Sequence, residues 1–81
     1  SEVVEQLRAA LPPEALVTDP DRMESYRYDR AMFCPAGMPL AVVLARETAH
    51  VQAAVQIAAA AGVPIVPQGA RYYLCTAESM P

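Results

Sequence analysis

The residues best placed to do chemistry are Pro67-Gln68-Gly69-Ala70-Arg71. They come after a short apolar run, Val63-Pro64-Ile65-Val66, as an anion-holding loop comes after a strand. Glycine has no side chain, so the backbone there can approach an anion closely. Successive exposed N–H groups then form an anion-binding concavity. Arg71 adds a guanidinium that can donate two parallel hydrogen bonds to a phosphate. Taken alone the motif is weak, because one glycine after a strand usually marks an ordinary turn. The sequence has neither GxGxxG nor GxxxxGK[ST], which excludes a dinucleotide fingerprint and a P-loop.

Other reactive side chains are sparse. His50 could act as a general base, yet the sequence places no carboxylate or hydroxyl beside it, and a solvent-facing helix position is expected. Cys34 and Cys75 are far apart and have no CxxC neighbour. Two free thiols are expected, with no zinc site. Asp19, Asp21, Glu24 and Asp29 lack the calcium-loop spacing, so helix capping and a solvated face account for them. Tyr72 and Tyr73 could stack on an aromatic ligand, but packing explains them as well. No catalytic residue and no metal site is expected.

Composition narrows the class. The 81 residues are 54% hydrophobic and carry a net charge of −3, which describes one small globular domain. There is no lysine, and the arginines are scattered, so no nucleic-acid footprint is present. No apolar run reaches the ~20 residues of a membrane span. The N-terminal residues lack a basic region followed by an apolar core, so no secretory leader is expected. A cytoplasmic location is the resulting expectation.

The elements that must position the loop are read from periodicity. Residues 1–11 form an amphipathic helix with Val3, Val4, Leu7 and Leu11 on one face, stopped by Pro12-Pro13. Ala15-Leu16-Val17 is extended. Thr18 or Asp19 caps a short helix that starts at Pro20 and reaches Tyr26 or Tyr28. Residues 29–38 read as a loop. Leu40 to Leu44 is a strand. Thr48 caps a long helix whose packed face is Val51, Ala54, Val55 and Ala58, ended by Gly62. Residues 63–66 form a second strand. The spacing predicts a right-handed crossover between two parallel strands. The fold class is α/β (α+β), a small βαβ unit with N-terminal helices. Residues 1–38 form the helical segment and loop, 39–71 the βαβ unit, and 72–81 a divergent tail.

Four blocks carry a family resemblance: Tyr26-Arg27-Tyr28-Asp29, Pro39-Leu40-Ala41-Val42-Val43-Leu44-Ala45-Arg46, Thr48-Ala49-His50-Val51, and the run from Ala60 to Arg71. In order and spacing they resemble the N-terminal part of the FAD-binding domain of FAD-linked oxidases, the vanillyl-alcohol oxidase/p-cresol methylhydroxylase (PCMH) type. Within that group they look most like the glycolate oxidase FAD subunit and D-lactate dehydrogenases. The resemblance implies a partial PCMH-type domain in which Pro67, Gln68, Gly69, Ala70 and Arg71 contact the FAD pyrophosphate through the backbone. It also implies a flavoenzyme oxidising a 2-hydroxy acid, of which this stretch supplies one part of the cofactor grip.

The sequence departs from that family after Arg71. A glycine-rich Thr-Gly-Leu-Ser-Gly-Gly run is expected there, and the chain reads Tyr72-Tyr73-Leu74-Cys75-Thr76-Ala77. Ala45 also stands where the family has proline. The change at Tyr72 fits a truncated or frame-shifted member, inactive by itself. It equally fits a non-catalytic interaction or oligomerisation module that kept the fold and lost the cofactor. In either case the edges of Leu40–Leu44 or Val63–Val66 are expected to be exposed and to drive homo-oligomerisation.

Overall fold

The computed structural model describes residues 2–26 and 39–75. Helix α1 spans Glu2–Ala10, with Glu2 and Glu5 in its first turn, where acids suit the helix dipole. Pro12 and Pro13 end it, and a 3-10 turn, Pro13–Ala15, leads into strand β1, Leu16–Val17. Helix α2, Pro20–Met23, starts where proline at the first helical position leaves no bond unmade. Its cap is Asp19, whose side chain accepts the Asp21 N–H at 2.9 Å. A 3-10 turn, Glu24–Tyr26, continues it. The expected loop at 29–38, the Arg27-Tyr28-Asp29 part of the first family block, and residues 76–81 lie outside the described residues.

Strand β2 is Ala41–Leu44, helix α3 is Thr48–Ala61, strand β3 is Ile65–Gln68, and strand β4 is Arg71–Leu74. The fold is a mixed α/β domain, as expected, and its sheet has four strands. Four strands lie in the order β1-β2-β4-β3, and every pairing is antiparallel. Because β2 and β3 both run antiparallel to β4, they point the same way without touching. The crossover helix therefore joins two parallel strands separated by a third, a split βαβ arrangement. The two strands joined by the helix run parallel, as expected, and β4, built by Arg71–Leu74, lies between them. The boundary drawn after Arg71 thus cuts through the sheet, and the segment read as a divergent tail begins with an inner strand.

Alternation along the strands divides the core into two layers. On one face Leu16, Ala41, Val43 and Leu74 pack with Leu7 and Leu11 of the α1 region and with Ala54 and Ala58 of α3. On the other face Val17, Val42, Tyr73 and Cys75 pack with Met23 of α2. The sheet is therefore buried on both sides, which is why β2 reads as an unbroken apolar run. The packed face of α3 is rotated from the expected one. Ala53 and Ile57 join Ala54 and Ala58 against the core, whereas Val55 is 43% exposed.

Gly62 ends α3 with φ of +68°, the left-handed conformation that glycine adopts without a Cβ penalty. The N-cap position is Glu47 rather than Thr48, and no side chain caps the helix there. Hydrogen bonds extend the ladders past the strand ends. Leu40 N–H donates to Leu74 O at 2.7 Å, and Cys75 N–H to Pro64 O at 2.9 Å.

Candidate functional site

The five residues expected to hold an anion form the far end of a hairpin. Pro67 and Gln68 close β3, Gly69 and Ala70 make the turn, and Arg71 opens β4. All five are exposed. Gln68 and Arg71 are register partners, so the turn contains two residues only. Gly69 has φ of +61°, and among the described residues no non-glycine residue has a positive φ. That combination is the signature of a type II′ turn, in which glycine takes the first central position and the twist matches the flanking strands.

The backbone groups of the tip are easily accounted for. Ala70 O accepts the Ala45 N–H at 3.0 Å, which ties the turn to the end of β2. The Gly69 and Ala70 N–H groups donate to no backbone acceptor among the described residues. Pro67 has no N–H to offer. A Cβ built on Gly69 would meet nothing within 4 Å, so the glycine serves the turn's φ and not a close approach to neighbouring atoms. Two adjacent N–H groups and a nearby guanidinium can meet one anionic oxygen. By themselves they do not form the longer concavity that would wrap a pyrophosphate.

The two tyrosines after the turn explain the difference. Tyr72 is half-buried on the helix-covered face, and Tyr73 is fully buried on the other. Side chains so committed hold the backbone flat in the ladder, where a glycine-rich stretch would be free to curl around a ligand.

The remaining candidates serve structure. His50 is not solvent-facing, since its side chain is 12% exposed. Its Nδ1 accepts the Arg46 N–H at 3.1 Å, which places its proton on Nε2 when the ring is neutral. Nε2 lies 3.9 Å from Glu47 Oε1, and the Glu47 side chain is largely exposed. His50 thus braces the link between β2 and α3. Cys75 is fully buried and disulfide-bonded, which corrects the free thiol expected there. The only other cysteine in the sequence, Cys34, lies outside the described residues, as does Asp29. Among the described residues no cluster of histidine, cysteine and acids could hold a metal ion.

A second concavity was not apparent from the sequence. It lies between α1 and α2, beside β1, at the opposite end of the strand order from β3. Arg8, Thr18, Asp19 and Arg22 line its rim. The signal available in the sequence was the pair of arginines flanking a short apolar strand, and pairing them required knowing that α2 folds back beside α1.

No helix among the described residues is long and apolar enough to cross a membrane. Comparison with protein-family models, curated proteins and solved structures finds no match for this chain.

Proposed function

We propose that this chain is a non-catalytic module built on the leading part of the FAD-binding domain of an FAD-linked oxidoreductase, one acting on 2-hydroxy acids such as glycolate or D-lactate. The family part of the proposal is supported by the ordered blocks between Tyr26 and Arg71. The non-catalytic part is carried by one observation: Tyr72, Tyr73 and Leu74 form an inner strand where the family has a glycine-rich loop. The chain by itself turns over no substrate. Its partner in this reading is a second copy of itself, and sedimentation velocity giving only monomer at high concentration removes that partner.

Of the two edges expected for such association, the one at Val63–Val66 corresponds to an outer strand, β3. Strand β2 is an inner strand, flanked by β4 along its length and by β1 at Val42 and Val43. The outer edges belong to β1, two residues long, and to β3, where Pro67 removes a donor.

A second reading has its own observation. The exposed tip at Gly69-Ala70 offers two N–H groups beside Arg71, and within a longer flavoenzyme Pro67, Gln68, Gly69, Ala70 and Arg71 would supply a fraction of the pyrophosphate contacts. Titration with FAD separates the two readings. A ligand bound only by the folded state raises the melting temperature, and bound flavin changes its fluorescence. The module reading expects neither effect at saturating FAD. A reproducible rise in melting temperature with flavin quenching replaces it with the second reading.

A further inference from the structure

We propose that the cleft between α1 and α2 is a binding site for a small organic monoanion: a carboxylate carried on a compact apolar body. This inference is independent of the flavin reading, because the cleft shares no residue with the Gly69 hairpin.

The cleft has a volume of about 470 Å³, within the range of roughly 300–1,000 Å³ usual for small-molecule sites. Its apolar wall is built from Leu11 and Leu16, which are 5% and 8% exposed, together with Pro13. The polar groups on the rim are held in place by one another. Arg8 Nη1 donates to Glu5 Oε1 at 3.0 Å, and Nη2 donates to Thr18 Oγ1 at 3.2 Å. Asp19 Oδ1 accepts the Asp21 N–H at 2.9 Å. Arg22 differs from both, since its guanidinium has no hydrogen bond or ion pair with any group of the described residues.

These facts select the ligand class. An unpartnered guanidinium donates two parallel N–H bonds to a carboxylate, a geometry lysine cannot reproduce. Arg8 is already paired with Glu5, so Arg22 is the lining cation left for a ligand, with the Asp19 carboxylate on the same rim. One guanidinium beside one carboxylate suits a monoanion better than the dianion of a phosphate monoester or free phosphate, which Asp19 repels more strongly. The leucine wall then takes the apolar part of the ligand, as the hydrophobic effect requires.

The test uses the whole chain and isovalerate as the probe, followed by ¹H–¹⁵N NMR. Saturable shifts are expected at Arg8, Leu16, Thr18 and Arg22 and not at Gly69 or Ala70. Isoamyl alcohol lacks the charge and inorganic phosphate lacks the apolar body, so neither should saturate the site. Replacing Arg22→Gln should weaken isovalerate by about tenfold, the scale of one charge-assisted contact, and Arg22→Lys should restore only part of it. The exposed position of Arg22 leaves folding intact, and the melting temperature of each variant checks this. Equal affinity in wild type and Arg22→Gln overturns the proposal. So does isoamyl alcohol or phosphate binding as tightly as isovalerate, or a titration without saturable shifts in the cleft.

Discussion

Val42 and Tyr73 face each other across the β2–β4 ladder, and neither side chain is exposed to solvent. They form the middle of the second core layer, with Val17, Met23 and Cys75 around them. Tyr73→Ala should therefore cost about 3–5 kcal/mol, as removal of a large core ring does. That is a large part of the roughly 5–15 kcal/mol that holds a typical domain together. Urea denaturation followed by circular dichroism should show the transition at much lower urea or absent. A midpoint equal to that of the wild type would mean that β4 is not an inner strand.

Gly69→Ala tests the turn separately from packing. The added Cβ meets no neighbour within 4 Å, yet φ is +61°. The cost is then backbone strain alone, roughly 1–2 kcal/mol for a left-handed L-residue. Thermal unfolding should move down by about 4–8 °C per kcal/mol in a domain of this size. An unchanged melting temperature would show that the turn does not require glycine.

His50→Ala removes the acceptor for the Arg46 N–H. One such hydrogen bond contributes about 0.5–1.5 kcal/mol, whereas Glu47→Ala should change little, because a long contact to an exposed carboxylate is worth at most a fraction of that. Hydrogen exchange at the Arg46 amide gives the direct reading: faster in His50→Ala and unaltered in Glu47→Ala.

Reduction of the disulfide at Cys75 should lower the urea midpoint by an amount equivalent to about 2–4 kcal/mol. Denaturation with and without reductant makes the comparison.

Much of the scaffold was legible because local chemistry decides it. The face of α1, the Asp19 cap with Pro20, the Gly62 terminator and the strand at Ala41–Leu44 each arise from a few neighbouring residues. The sheet order was not, because it depends on what pairs between β2 and β3, and that strand comes later in the chain. A local signal for it existed. Ile65–Gln68 and Arg71–Leu74 flank a two-residue Gly-Ala turn, the pattern of a hairpin. Pro67 within the first run marks an edge strand, which β3 is. The family resemblance points to missing glycines at Tyr72 and away from the strand those residues form. His50 escapes sequence reasoning for a similar reason: its partner is a backbone N–H four residues earlier, which side-chain spacing cannot reveal. The rim of the α1–α2 cleft depends on how the chain between the helices brings Arg8 and Arg22 to one concavity, and periodicity within either helix carries no information about that.

The position of β4 has a consequence for the order in which the molecule can assemble. A ribosome delivers β1, β2, α3 and β3 before the strand that lies between the two halves of the sheet. Until Arg71–Leu74 emerges, β3 has no ladder partner and β2 has only the two residues of β1. Until then Val42 and Val43 lack their final neighbours Tyr73 and Tyr72, so the sheet is completed only by the last strand made.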